Sequence, residues 1–340
     1  MMKTIKTIDA VGTVLAHDMT KIIPGEFKGV GFKKGHVVSE EDIPELLKIG
    51  KANLYVLDLN ENELHEDDAA LRIAEAVCGD HLSWTEPREG KSAMVSDCDG
   101  LVKIDTDALL QINKTADIIV STLKDNYPCE KGQRIAATRI IPLITAVENI
   151  EQAEHIAAQS QPVLTVAPFR KLKVGGVVTG TEVQQGLVPD GFDKFVAKKF
   201  QKYGCEYHRK ILVPDDPEQI SQAINDLKSE GCELIITTGG MSVDPDDVTK
   251  VGVRQTGANV ITYGSPVLPG AMFLYALLDD VPILGLPACV YYAPTTIYDL
   301  MLPRVLAGEP ITEDTIAAMG HGGMCLDCKV CHFPNCSFGF

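Results

Sequence analysis

From Leu172 onward the chain alternates short apolar runs with amphipathic stretches, and this restricts the fold more than any other feature of the sequence. Leu172 to Thr179 is mostly apolar and stops at Gly180. Phe192, Phe195, Val196, Phe200 and Tyr203 then recur at helical spacing across Asp193 to Tyr203. Lys210 to Val213 forms a second apolar run, closed by Pro214-Asp215-Asp216-Pro217. There Asp216 suits a helix N-cap, Pro217 the first helical position and Gln219 the third, with Ile220, Ala223, Ile224 and Leu227 on the buried face. Cys232 to Thr237 is apolar at its centre and breaks into Thr238-Gly239-Gly240. Strands without a polar face, alternating with amphipathic helices, predict an α/β fold. It is a three-layer, doubly wound, mostly parallel sheet over residues 166–312, with helices on both faces. Ligands of such sheets bind beyond the carboxyl ends of the strands.

Upstream the pattern differs. Residues 1–83 read as a small α+β module. A strand is expected in Ala10 to Thr20 and a turn at Lys33 to His36. A helix opens at Asp42-Ile43-Pro44-Glu45 with the spacing of a capping box, a strand spans Asn53 to Leu57, and a helix spans Glu66 to Val77. Residues 84–165 read as strand-rich, from alternating runs such as Gly100 to Ile104 and Ile118 to Thr122, with helices at Thr106 to Asn113 and Val147 to Gln159. A cysteine-rich tail, 313–340, follows the α/β segment.

The 340 residues carry 31 basic and 47 acidic side chains, a formal net charge of −16. Such a surface repels phosphate backbones, so a nucleic-acid groove is not expected. No run approaches the roughly 20 apolar residues that span a bilayer, so no membrane partner is expected either. Asp9, His17 and Asp18 interrupt the opening residues, which lack the apolar core of a secretory signal. The expected location is cytoplasmic, with reduced thiols.

Three strand ends carry the chemistry of a site. They are Thr179-Gly180-Thr181-Glu182, Pro214-Asp215-Asp216, and the run from Thr238-Gly239-Gly240 through Ser242 to Asp247. Glycines let backbone N–H groups approach an anion. Carboxylates that converge need a cation between them, and hard oxygen donors suit Mg²⁺. Together these describe a phosphorylated ligand held with Mg²⁺, although turns and caps use the same residue types.

These loops resemble the molybdopterin-binding domain shared by molybdopterin molybdotransferases, adenylyltransferases and gephyrin. Thr237 to Val243, followed by Asp247 and Thr249-Lys250, is similar to that family's glycine-rich signature. Thr179 to Val183 resembles its T-G-D-E-L turn and Val213 to Asp216 its V-x-D-D segment. Pro269-Gly270 and Gly285-Leu286-Pro287 match its two proline loops in order. Ala10 to Asp18 resembles the opening of the molybdotransferases. Departures occur at Thr181, Gly191-Phe192, Asp244-Pro245 and Ala288-Cys289-Val290. The resemblance implies a pterin phosphate cradled by Thr179, Gly180, Gly239, Gly240, Ser242, Pro269, Gly270, Gly285 and Pro287. It implies Asp247 as the Mg²⁺ acid, supported by Glu182 and Asp215.

The tail has no counterpart in that family. Cys325, Cys328, Cys331 and Cys336 are spaced C-x₂-C-x₂-C-x₄-C after Gly320-His321-Gly322-Gly323. Four reduced thiols this close predict a metal site holding Zn²⁺ or a [4Fe–4S] cluster, with His332 and His321 as alternative ligands. The glycines suggest a tail decoupled from the α/β segment and ordered by its metal.

The function implied is molybdenum cofactor biosynthesis: binding of adenylylated molybdopterin and insertion of molybdate, by an enzyme of the molybdotransferase type. Two alternatives stay open. One is a carrier that delivers molybdopterin or finished cofactor to a client molybdenum or tungsten enzyme; the other is a molybdopterin adenylyltransferase. The family resemblance also implies a homo-oligomer.

Overall fold

Leu234, Ile235 and Ile236 are all fully buried, yet successive residues of a strand point to opposite faces, so this strand has core on both sides. It lies inside a six-stranded sheet built from β1 (Lys173–Thr179), β2 (Glu206–Val213), β3 (Leu234–Thr238), β4 (Asn259–Tyr263), β5 (Leu274–Leu278) and β6 (Val281–Leu286). The computed structural model describes residues 3–23, 25–56, 60–160, 162–242 and 247–339.

The sheet order is β2-β1-β3-β6-β5-β4. The pairings β1–β2, β1–β3 and β3–β6 are parallel, while β5 and β4 close the edge antiparallel. Val174, Val178, Leu234, Ile236, Leu284 and Leu286 join one core cluster. Val177, Ile235, Ile283, Leu274 and Ala276 join another on the opposite face. The first face is covered by the helical stretch Asp193–Ala197 and Lys198–Lys202 and by the helix Ile297–Leu306. The second is covered by the helix Pro217–Ser229 and the short helix Thr249–Gln255. This is the three-layer, mostly parallel α/β fold that the apolar strands imply.

Local signals explain several boundaries. The Asp216 carboxylate accepts from the N–H groups of Glu218 and Gln219 at 3.0 and 3.1 Å, capping Pro217–Ser229 as its sequence predicts. These bonds, with little burial to oppose them, hold its carboxyl below the usual carboxylate range. The helix Ile297–Leu306 opens with a full capping box between Thr296 and Asp299, and Lys199 reaches Asp299 at 2.7 Å. β2 begins at Glu206, earlier than the apolar run at Lys210 suggests, because its first residues pair with β1 on the sheet edge and stay half exposed.

The chain divides into two compact units, which differs from the four successive segments read from the sequence. One takes the residues up to Asp97 with Lys103–Leu123 and Lys131–Val166; the other takes Cys98–Val102, Lys124–Glu130 and the chain from Ala167 onward. In the first unit, strands Leu82–Trp84, Lys91–Ser96, Arg134–Ile140 and Ile118–Thr122 form an antiparallel sheet. Ala69, Ala70, Ile73, Ala74 and Val77 are the buried stripe of the helix Glu66–Val77. Ala10 to Thr20 is not one strand. Val14 makes an isolated bridge to Val37, and the strand begins only at Met19. Nor does Asp42 cap its helix: its carboxylate turns back to the Ser39 N–H (2.8 Å) and His36 (2.6 Å). Leu57, at the end of one expected strand, lies outside the described residues, as do Val243 to Asp246 of the expected ligand loop.

The tail is not decoupled. The Gly323 carbonyl accepts from Leu268 and the Leu268 carbonyl accepts from Cys325, both at 2.8 Å. Phe338 is 2% exposed within the α/β core, and Tyr127 donates to Asn335 at 2.7 Å. Aromatic side chains that have a core to enter do not need a metal to order them.

Candidate functional site

The carboxyl ends of β1, β3 and β6 put Thr179, Thr238 and Leu286 on one edge of the sheet. Leu274 pairs with Gly285, which brings the Pro269-Gly270 loop before β5 to the same edge. The strand-end loops expected from the sequence are therefore neighbours in space.

The glycine pair after β3 has a definite mechanical role. Gly239 and Gly240 have φ of +88° and +55°, backbone that side-chain-bearing residues rarely adopt. A Cβ on Gly239 would overlap the Thr179 carbonyl and lie 2.6 Å from its Oγ1; one on Gly240 would lie 2.5 Å from Thr249 Oγ1. Thr249, part of the loop signature but not counted among its ligand residues, ties the corner together. Its hydroxyl donates to the Gly239 carbonyl at 2.9 Å and lies 3.0 Å from Thr179 Oγ1. Thr179 and Thr249 are both buried. The glycines thus allow β1 and β3 to end in contact, and they set the path of the loop that leads to Ser242.

Gly180 (φ +139°) turns the chain after β1, and its N–H donates to Val213 at the end of β2. Asp215 accepts from the Thr181 N–H at 3.0 Å and from its hydroxyl at 3.1 Å. The acid read as a supporting ligand thus fastens the first turn to the end of β2. Glu182 lies in the short exposed helix Thr181–Gln184. Ser242 is exposed and Asp247 half-buried. The next helix has Val248 at its N-cap, whose own side chain makes no cap bond. Tyr263 at the end of β4 is a site neighbour that linear spacing hides. Its hydroxyl donates toward the carbonyls of Met241 (2.9 Å) and Ser242 (3.1 Å), and the Lys250 ammonium sits 4.1 Å from its ring centre. Burial, and then the nearby Asp247 charge, push the Tyr263 phenol up.

The remaining loops behave as packing corners. A Cβ on Gly270 would press on Ile297, and one on Gly285 would press on Met241 and Leu274. The Pro269 carbonyl accepts from the Ile297 N–H at 3.1 Å, and Pro287 precedes the short helical turn Ala288–Tyr291. Tyr291, another residue missed from sequence, lies in that turn with its phenol pushed up to about 12, chiefly by burial.

Asp247, Glu182 and Asp215 do not form a ready cage. Among the described residues, no three His, Cys, Asp or Glu side chains form a group that could hold a metal ion. That finding covers the tail thiols as well, although they share a cavity. Cys325, Cys328, Cys331 and Cys336 all line one cavity of about 440 Å³, and His332 lines it too, whereas His321 does not.

These features define an α/β domain with glycine-turned loops gathered at the carboxyl edge of its sheet. Residues 175–307 match the family described as "Probable molybdopterin binding domain". Residues 4–58 match a domain of unknown function. The chain is 31% identical over 147 residues to a molybdopterin molybdenumtransferase of Synechococcus elongatus, covering 41% of this chain and 36% of that protein. It is 36% identical over 83 residues to a CinA-like protein of a Mycobacterium species, covering 24% of this chain and 20% of that one. The crystal structure of the molybdopterin biosynthesis enzyme MoaB of Thermus thermophilus is also similar. It aligns at 20% identity and a TM-score of 0.34 over 41% of this chain and 98% of that one. The chain spans little more than a third of the first relative and a fifth of the second.

Proposed function

We propose that the chain acts in molybdenum cofactor biosynthesis, binding adenylylated molybdopterin and inserting molybdate as a molybdotransferase. The observation that carries this reading is the shared edge on which Thr179-Gly180, Gly239-Gly240, Pro269 and Pro287 meet, within a segment that matches the molybdopterin-binding family. Backbone N–H groups at the Gly239-Gly240 turn bind phosphate oxygens without adding a charge that must be desolvated, while those of Gly180 and Thr181 already donate to Val213 and Asp215. Thr179 and Thr249 hold the β1 and β3 turns in register, so those N–H groups stay oriented. Ser242 adds a hydroxyl on the exposed side.

A Mg²⁺ at Asp247 would neutralise phosphate charge. Mg²⁺ keeps several waters and takes one or two carboxylates plus substrate phosphate, so a single half-buried acid fits it better than a three-carboxylate cage would. Asp215 keeps its role of fixing the Thr181 turn, and Glu182, exposed in the helix after β1, would meet ligand from the solvent side. Delivery to a client enzyme is the second reading. It is favoured by the exposed apolar residues Met324, Leu326 and Val330 beside the thiol cavity, a surface suited to a protein partner.

The test incubates the full chain with adenylylated molybdopterin, molybdate and Mg²⁺, then measures cofactor able to reactivate a molybdenum enzyme. Maturation is expected with the wild type. Asp247→Ala should stay folded by circular dichroism and should lose Mg²⁺-dependent maturation. Unchanged activity and Mg²⁺ dependence in the folded variant would remove Asp247 from the site. Pterin binding without maturation would favour the carrier.

A further inference from the structure

We infer that the first unit holds a second small-molecule site, centred on Glu66, for a neutral ring with paired N–H donors, of the pterin or guanine type, that carries a phosphate. It uses none of the sheet-edge loops and is independent of the maturation reading. Glu66, Lys91, Arg139 and His17 carry it, and all four line one cavity of about 200 Å³ within that unit.

Glu66 opens the helix Glu66–Val77 and is only 5% exposed. Its carboxylate makes no hydrogen bond or ion pair among the described residues, because the donors around it are engaged elsewhere. The Gly90 N–H goes to Asp67 at 2.9 Å, the Lys34 ammonium to His65 (2.8 Å) and Asp67 (2.9 Å), and Arg139 Nε to the Ile140 carbonyl (3.1 Å). Gly90 lies so close that a Cβ there would overlap the carboxylate. Burial, and then the Asp67 charge, hold the Glu66 carboxyl above the usual carboxylate range. A buried acid without donors costs stability, and a ligand that brings N–H groups removes that cost. His17 adds a second unsatisfied atom, since its Nδ1 is buried without a partner.

The same cavity holds two cations that face each other. Lys91 and Arg139 stand directly opposite on the antiparallel strands Lys91–Ser96 and Arg134–Ile140, so both side chains leave one face of the sheet. Like charges in that position repel. Glu89 reaches Lys91 only at 4.0 Å, and among the described residues Arg139 has no ion-pair partner. A phosphate between the two cations satisfies both. At the other end, the two oxygens of Glu66 suit a pair of parallel N–H bonds. A neutral ring supplies these without burying a second ion, whereas an ammonium would first have to be desolvated. Leu143 gives the ring an apolar wall. A metal does not account for the cluster, because among the described residues no three His, Cys, Asp or Glu side chains form a group that could hold one.

The experiment titrates the full chain with guanosine monophosphate and with neopterin phosphate by isothermal titration calorimetry. Saturable binding of at least one is expected, and the tighter of the two names the ring. The matching analogue without the amino group, inosine monophosphate or the lumazine counterpart of neopterin phosphate, should bind at least about tenfold more weakly. Glu66→Gln should lose binding to a similar degree yet melt no lower than the wild type, since it removes a buried charge that has no partner. An acid with a purely structural role would show the reverse. Arg139→Gln should abolish the preference for the phosphorylated ligand over its unphosphorylated form. No binding of either phosphate at about 1 mM, equal affinity for the analogues without the amino group, or full binding by Glu66→Gln would overturn the site. The comparison of analogues on the wild type decides the matter even where a variant fails to fold.

Discussion

Gly239 and Gly257 have almost the same backbone angle, φ +88° and +86°, and differ in what surrounds them. A Cβ on Gly257 would meet nothing within 4 Å, whereas one on Gly239 would meet the carbonyl and hydroxyl of Thr179. Alanine at Gly257 therefore measures the left-handed backbone cost alone, about 1–2 kcal/mol. At Gly239 the same cost is joined by overpacking of a buried corner, a further ~1–3 kcal/mol. With about 2–4 °C of melting temperature per kcal/mol for a domain of this size, Gly239→Ala should melt about 2–12 °C below Gly257→Ala. Differential scanning calorimetry of both variants beside the wild type reads the difference directly. Pterin binding should weaken only in Gly239→Ala, because relieving the clash moves the turn that carries the N–H groups. If the two variants melt within ~1 °C of each other, the close approach of β1 and β3 is not what requires glycine at 239.

Acid should weaken the first unit through His65. Its Nε2 donates to the Ala16 carbonyl at 2.9 Å, and its Nδ1 accepts from the Lys34 ammonium (2.8 Å) and the Asp67 N–H (3.1 Å). Burial, then the Lys34 charge, holds the ring below its ordinary value, so the unfolded chain takes the proton more readily. The contribution is present above about pH 6.5 and is lost as pH falls through that value, by up to about 1.4 kcal/mol per pH unit. Melting curves from pH 8 to 5 should show the loss, and His65→Gln should flatten it. Thr296→Ala removes the hydroxyl that accepts from the Tyr298 N–H and should cost about 1 kcal/mol in urea titration, while Thr296→Ser should cost a few tenths.

Much of this protein is local in origin and therefore legible in its sequence. The helices Glu66–Val77 and Val147–Gln159 end where their apolar spacing ends, and Asp216 caps its helix with its own carboxylate. The apolar content of Leu234 to Ile236 already implies a strand covered on both faces, hence the layered sheet. What the sequence could not reach depends on distant partners. Asp42 prefers Ser39 and His36 to its own helix, Asp215 is engaged by Thr181, and Phe338 enters a core formed mainly by residues before 320. Tyr263 became a site neighbour only because β4 returns to the same edge. Spacing could mark four thiols as a candidate metal site, since they lie in twelve consecutive residues. That they line a cavity together with Leu268, Thr295 and Phe338 was decided only when the tail packed against the sheet domain.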